Sequence, residues 1–139
     1  MQIRSAKDLT VYQTAYELAM EVFQASKKFP IEERYSLTDQ LRRSSRSVCA
    51  NLRGCWAKRR YEAHFVSKLT DADGENAETE TWIDFARDCD YLSPQDHAGF
   101  STKCHEIGAM LGAMINNPSP FISIGCRPPT SDLRPPISE

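Results

Sequence analysis

The sequence predicts an all-α fold, an up-down-up-down antiparallel four-helix bundle with a proline-rich C-terminal tail. Four segments repeat apolar residues at steps of three and four, which is the spacing of one helix face. Short links join them, and no segment shows convincing strand alternation. A chain of 139 residues is most simply one domain. We predict that residues 1–116 form the bundle and 117–139 an extended or disordered tail.

The first predicted helix runs from Asp8 to Lys28 and ends before Phe29-Pro30. A short connection, Pro30 to Tyr35, leads to the second helix. The residues predicted to face the core are Leu9, Tyr12, Tyr16, Ala19, Phe23 and Ser26.

The second predicted helix, Leu37 to Arg60, is the most basic part of the chain. Ser36 stands at the N-cap position with Asp39 three residues later, a pairing typical of a capping box. Lys58 to Arg60 place positive charge where the helix dipole favours it. The core-facing residues are predicted to be Leu37, Leu41, Val48, Leu52 and Cys55.

The third predicted helix spans Tyr61 to Tyr91, and no capping residue marks its start. The sequence therefore leaves open whether helices two and three bend into each other without a loop. Asn76 and Thr79 interrupt its apolar stripe, and we expect them to form internal hydrogen bonds. The stripe consists of Phe65, Leu69, Ala72, Asn76, Thr79, Ile83 and Ala86.

Ser93-Pro94 signals the start of the fourth helix, because a capping residue precedes proline at the first helical position. Gly108 and Gly112, four residues apart, indicate close approach of another helix. Six of the eight prolines follow Asn117, which indicates the tail. The predicted core residues are Phe100, Cys104, Ile107, Leu111 and Met114.

Charge is strongly segregated although the formal net charge is only −2. No acid lies between Arg42 and Arg60, whereas Asp71 to Asp90 contains eight acids and one base. On a helical projection, Arg42, Arg46, Arg53 and Arg60 share an arc of roughly 40° that carries no aromatic residue. The basic candidates for nucleic-acid binding are Arg42, Arg43, Arg46, Arg53, Lys58, Arg59 and Arg60.

Three interpretations of this arginine arc remain open. It is a solvated helix face, a surface that contacts RNA or DNA phosphates, or a contact between subunits. The third interpretation needs acids opposite the arginines, on a neighbouring helix or a neighbouring subunit. The candidate oligomer contacts are Asp71, Glu75, Glu78 and Trp82.

Motifs for common enzymatic chemistry are absent from the sequence. Its glycines form no phosphate loop, and His64, His97 and His105 share no metal-ligand spacing. We therefore predict a protein that is not an enzyme and has no metal or cofactor. Arg59 and His64 have the R-x4-H spacing that resembles the catalytic motif of HEPN-type ribonucleases, which is a remote alternative.

The five cysteines follow no disulfide or zinc pattern, and buried thiols in a reducing compartment are expected. No secretory leader or membrane-spanning apolar run is evident, which predicts a cytoplasmic protein without a membrane partner.

Several segments together resemble a known bacterial family. They are Leu9 to Ala15, Phe29-Pro30, Leu37 to Arg43, Ser47 to Asn51, Gly54, Gly74 and Glu78. Across about residues 8 to 115 the chain resembles the four-helix-bundle proteins first noticed as open reading frames in intervening sequences of 23S ribosomal RNA genes. Arg53 is a departure, because the family commonly has an acidic residue there.

The resemblance implies a homopentamer of four-helix bundles. A related protein, the accessory variability protein of diversity-generating retroelements, is a basic pentameric barrel that binds nucleic acid and a reverse transcriptase. The resemblance therefore suggests nucleic acid, and by resemblance only a reverse transcriptase, as partners. A purely structural oligomer without nucleic-acid binding is the alternative.

Overall fold

A computed structural model describes residues 2–122, in which four α-helices account for most of the chain. Short 3-10 turns at Ala6–Asp8, Ile31–Glu33 and Ser119–Phe121 precede, connect and follow them. The four helices are α1 (Thr10–Ser26), α2 (Leu37–Ala57), α3 (Glu62–Asp88) and α4 (Pro94–Asn116). Within residues 2–122 there is no β-strand, so the predicted all-α class is confirmed.

Each helix packs on the next, and α1 also packs on α4, which closes a four-membered bundle. Antiparallel pairing is visible in the side-chain contacts. The start of α2 meets the end of α1 through Arg42 and Ser26, and α2 meets α3 through Ser44 and Thr79. The up-down-up-down bundle predicted from the sequence is therefore confirmed. No helix in this part of the chain is long and apolar enough to cross a membrane.

The core lies where the predicted stripes of α2, α3 and α4 meet the buried face of α1. Every residue predicted to face inward on α2, α3 and α4 is buried. Leu52, Phe65, Leu69, Ile107 and Leu111 are 0% exposed. Their spacing at three and four residues brings them to the bundle axis, where their burial supplies the main driving force for folding.

The predicted stripe of α1 is only partly correct, because Leu9, Ala19 and Ser26 are buried but its aromatic residues are not. Tyr16, predicted to face the core, is 54% exposed, and Tyr12 and Phe23 are only partly buried. Tyrosine needs a partner for its hydroxyl when it is buried, whereas aliphatic side chains do not. The aliphatic face therefore turns inward instead. The buried residues of α1 are Val11, Ala15, Leu18, Ala19, Val22 and Ser26.

Two predictions about the ends of α2 are also wrong. The helix ends at Ala57 rather than Arg60, and a turn separates it from α3. Arg60 therefore lies outside the helix, and the helical projection does not apply to it. At the other end, Ser36 makes no side-chain capping bond; its hydroxyl donates instead to Glu33 Oε1 at 2.7 Å.

The buried polar residues of α3 form internal hydrogen bonds, as predicted. Asn76 Nδ2 donates to the carbonyl oxygen of Cys104 at 2.9 Å, which joins α3 to α4. A Cβ atom at Gly108 would lie 3.5 Å from that same amide nitrogen. The Thr79 hydroxyl lies 2.9 Å from Ser44 Oγ and joins α3 to α2. These bonds fix the register of the helices.

The predicted start of α4 is confirmed, because Ser93 Oγ accepts a hydrogen bond from the Asp96 amide at 3.0 Å. After α4 the packing continues past residue 116. The Phe121 ring stacks on Phe65 with centroids 6.2 Å apart, and Ile122 is 5% exposed. Most of the predicted tail, residues 123–139, lies outside the described residues.

Candidate nucleic-acid interface

A basic groove opens on the surface beside the first half of α2. We call it the arginine groove; it encloses about 580 Å³ and is open to solvent. Four arginines and a single acid, Asp39, contribute to its lining. The groove is lined by Arg34, Tyr35, Thr38, Asp39, Arg42, Arg43, Arg46, Ser47 and Ala50.

Two of the arginines predicted from the sequence converge on one ring of α1. The guanidinium carbons of Arg42 and Arg46 lie 4.8 and 5.5 Å from the centroid of Phe23. Arg42 Nε also donates to Ser26 Oγ at 2.7 Å. A guanidinium over a ring keeps its charge while its position is fixed. Both cations are therefore held in place without being neutralised.

Arg43 turns the other way, toward α3. Its guanidinium pairs with Glu75 at 3.4 Å and with Glu78. These acids were candidates for contacts on a neighbouring helix or subunit, and here they bind an arginine of their own chain. Exposed pairs of this kind contribute little to stability. Arg43 nevertheless has part of its charge offset, unlike Arg42 and Arg46.

A second groove, with acidic walls, lies on the other side of Arg43. We call it the acidic groove; it encloses about 430 Å³ between α2 and α3. Three of the four candidate oligomer contacts line it. Its residues are Asn51, Thr70, Asp71, Gly74, Glu75 and Glu78. The fourth candidate, Trp82, instead borders an apolar groove with Phe85, whose side chain is 55% exposed.

The remaining basic candidates lie farther along the chain and do not join the arginine groove. Arg53 is exposed on α2, and Lys58 and Arg60 are exposed in the turn that follows. Arg59 stacks on Trp56, with its guanidinium carbon 4.2 Å from the ring centroid. The structure thus places three of the seven predicted basic residues in the groove and three in the turn after α2, with Arg53 on the helix between them.

The remote ribonuclease motif has little geometric support. Arg59 Nη1 donates to the Trp56 carbonyl oxygen at 2.9 Å, so it is directed back toward α2. The His64 ring packs against Tyr61 with centroids 5.6 Å apart. Within residues 2–122 no hydrogen bond or ring contact joins Arg59 to His64. A general base and its arginine partner would need to meet at one reacting atom.

Sequence reasoning missed three residues of this surface. Arg34 and Tyr35 belong to the connection before α2 and line the arginine groove. Tyr35 is 84% exposed. A signal for it was present in the sequence. A hydrophobic residue just before the N-cap usually packs on an apolar residue at the fourth helical position. Here that position holds Gln40, which is polar, so Tyr35 lacks this packing partner. Tyr16, placed in the core by its spacing, is the third.

Glu33 anchors the connection that carries Arg34 and Tyr35. Its carboxylate accepts hydrogen bonds from Ser36 Oγ at 2.7 Å and from Tyr91 Oη at 2.9 Å. These bonds, led by the one from Ser36, lower the pKa of Glu33 below its usual value. The hydrogen bond between Tyr91 and Glu33 also raises the pKa of Tyr91 to about 12. The connection before α2 is therefore fastened to the connection that follows α3.

Replacing Glu33 with Gln should loosen this connection. An amide keeps the shape but loses the charge that strengthens bonds from Ser36 and Tyr91. Because the folded-state pKa of Glu33 is lowered, its stabilising contribution is present above the ordinary pKa and disappears as pH falls through the lowered value. The Leu37 amide donates to Glu33 Oε1 at 3.4 Å, so hydrogen exchange should show faster exchange of that amide in the variant at neutral pH. Equal exchange rates would contradict the anchoring role.

Three of the four described cysteines are buried and add no reactive thiol to the surface. Burial raises the pKa of Cys49 to about 11 and those of Cys55 and Cys104 to about 12. Cys89 is exposed, and Cys126 lies outside the described residues. No cluster of three or more histidine, cysteine or acidic residues within residues 2–122 is arranged to hold a metal ion.

Comparison with known proteins agrees with this architecture. A crystal structure at 1.70 Å resolution of a protein of unknown function from the S23 ribosomal protein family, from Bacteroides thetaiotaomicron, is 25% identical in sequence. The match covers 77% of this chain and 96% of that chain, with a TM-score of 0.70. The comparison with curated proteins gives no significant match. The sequence model of the 23S rRNA-intervening sequence proteins matches residues 7–113, so the chain belongs to the 23S rRNA-intervening sequence protein family.

Proposed function

We propose that this protein is a non-catalytic, homo-oligomeric helical bundle that binds nucleic-acid backbone as an accessory or scaffold protein. The observation that carries the proposal is the set of arginines on the α1–α2 side of the bundle. Arg34, Arg42, Arg46 and Arg53 have no salt bridge to a carboxylate within residues 2–122. Their neighbour Arg43 differs, because its guanidinium pairs with Glu75 and Glu78 of α3.

Arginine side chains that are held in position and keep their full charge are suited to binding a polyanion such as nucleic acid. Guanidinium groups bind phosphate oxygens through paired N–H donors and remain charged at any physiological pH. Arg42 and Arg46 are already positioned by Phe23, so less side-chain entropy is lost when they bind. Such contacts recognise the phosphate backbone and not the base sequence.

A salt titration of the native protein tests the proposal. If Arg34, Arg42, Arg46 and Arg53 each contact one phosphate, the slope of log affinity against log salt concentration should be about −3 for a single strand. Fluorescence anisotropy of a labelled oligonucleotide gives that slope. A slope near zero, or no binding at low salt, would contradict nucleic-acid binding.

Self-association is the second part of the proposal, and the acidic groove supports it. Gly74 forms part of the groove, and a Cβ atom added there would meet no heavy atom within 4 Å. A glycine inside a helix costs up to about 1 kcal/mol relative to alanine. Three acids share the lining with Gly74; Glu75 and Glu78 already pair with Arg43, whereas Asp71 has no salt bridge within residues 2–122. A basic side chain from a second subunit fits such a groove, and head-to-tail contacts of this kind close rings.

Substituting a bulky residue for Gly74 should therefore prevent assembly. We expect Gly74→Trp to reduce the mass measured by light scattering while helix content is retained, because no atom of its own chain fills the space. Gly99 offers a matched control, since a Cβ atom there also meets no heavy atom within 4 Å and it lies on α4, away from the acidic groove. Gly99→Trp should keep the native mass. A native protein that is monomeric would contradict this part of the proposal.

A further inference from the structure

The arginine groove has an aromatic ring at its edge that its own chain leaves almost bare. Tyr35 is 84% exposed, the highest value among the large hydrophobic side chains of residues 2–122. Its ring contact is with the Arg34 guanidinium, 5.8 Å from the centroid. Large exposed aromatic side chains in a basic groove are characteristic of proteins that stack unpaired bases.

The ring is carried by an ordered turn. The Arg34 amide donates to the Ile31 carbonyl oxygen at 3.1 Å, and the Ser36 amide donates to that of Glu33 at 3.1 Å. The Glu33 carboxylate then ties the turn to Tyr91, in the connection between α3 and α4. A ring presented on fixed backbone loses little entropy when a flat partner stacks on it.

A second exposed tyrosine lies farther along the same face. Arg46 lies over Phe23, and α1 and α2 run antiparallel. Tyr16 is seven residues before Phe23, and Arg53 is seven residues after Arg46. Two helical turns in each direction, about 10 Å, place Tyr16 and Arg53 at the same level. Tyr16 is 54% exposed, so rings and guanidinium groups alternate along this face.

This alternation matches one form of nucleic acid. A single strand offers phosphates and free base faces in alternation, which arginines and tyrosines can bind together. In a duplex the bases stack on each other, so proteins reach only phosphates and base edges. We infer that the α1–α2 face binds single-stranded nucleic acid in preference to duplex, with an unpaired base stacked on Tyr35. The inference rests on the proposed function and specifies its ligand.

The test compares labelled single strands of RNA and of DNA with the corresponding duplexes at one salt concentration. Native protein should bind the single strands more tightly. Tyr35→Ala should weaken single-strand binding by at least about fivefold and leave duplex binding and the salt slope unchanged, because no charge is lost. Tyr35→Phe should retain native affinity, since it keeps the ring.

Phe85→Ala is the matched control, because Phe85 is 55% exposed and borders the apolar groove between α3 and the start of α2, which no arginine lines. It should bind as native protein does. Equal affinity for strand and duplex, with no effect of Tyr35→Ala, would overturn the inference and leave backbone binding intact. No binding of either form would overturn the proposed function as well. A changed mass for Tyr35→Ala would show that the ring is covered by a second copy of this chain, and would also overturn the inference.

Discussion

Replacing Phe65 with Ala should lower the free energy of unfolding by about 3–5 kcal/mol, the largest loss of stability that we expect from one substitution. Phe65 is 0% exposed and lies in the first turn of α3. Its ring stacks on Phe121, which follows α4, with an interplanar angle of 18°. The substitution therefore leaves a cavity at the place where the chain beyond α4 packs back on the bundle.

Urea denaturation measures this loss, with two comparisons. Phe65→Leu keeps most of the volume and should cost much less. Phe121→Ala removes the outer ring of the pair, which is only partly buried, and should cost less than Phe65→Ala. A loss below about 1 kcal/mol for Phe65→Ala would mean that the surrounding side chains close the cavity. The total stability of a domain is only about 5–15 kcal/mol, so this single substitution removes a large share of it.

The sequence predicts the bundle well where one helix face is clearly more apolar than the others. On α2 charged and polar residues surround a single apolar stripe, so only one orientation buries apolar side chains. On α1 two adjacent faces are apolar, one aliphatic and one aromatic. Spacing cannot choose between them, and the choice depends on which face finds partners without polar atoms. Tyr16 is exposed and Val22 is buried for that reason.

The candidate site is harder to predict, because neighbouring residues of one helix meet different helices. Arg42 and Arg43 are adjacent in sequence, yet Arg42 contacts Ser26 of α1 and Arg43 contacts Glu75 of α3. A helical projection gives the direction of each side chain but not the charge that it meets. Arg34 and Tyr35 join the groove only because Glu33 fastens their turn to Tyr91. That contact spans 58 residues of sequence, and no local pattern indicates it.

Reversing two arginines, Arg46→Glu with Arg53→Glu, should weaken binding of a single strand roughly 25-fold at 0.1 M salt through lost counterion release alone. The slope of log affinity against log salt should fall to about half its native value, because two of four phosphate contacts are lost. The fold should survive. Arg53 is exposed, and Arg46 contributes a ring contact worth about 1 kcal/mol or less.

A control with the same change in net charge separates a local contact from a general effect of charge. Gln24→Glu, Lys28→Glu and Gln95→Glu together add as much negative charge in the groove between α1 and α4, away from the arginines. If phosphates bind at the α1–α2 face, this control loses far less affinity than the reversal does. Equal losses in the two variants would mean that only the overall charge matters, which would contradict a defined binding face.

The molecular mass of the variant with Arg46→Glu and Arg53→Glu distinguishes a nucleic-acid-binding role of this surface from a role in subunit contact. If Arg46 and Arg53 bind nucleic acid, the variant keeps the native mass and loses affinity, because these side chains face no other subunit. If they are subunit contacts, the variant loses mass, and any loss of affinity follows from that. Gly74→Trp completes the comparison, since it targets the acidic groove without altering charge. A loss of affinity in the reversal alone, together with a loss of mass in Gly74→Trp alone, would assign the two grooves to different partners.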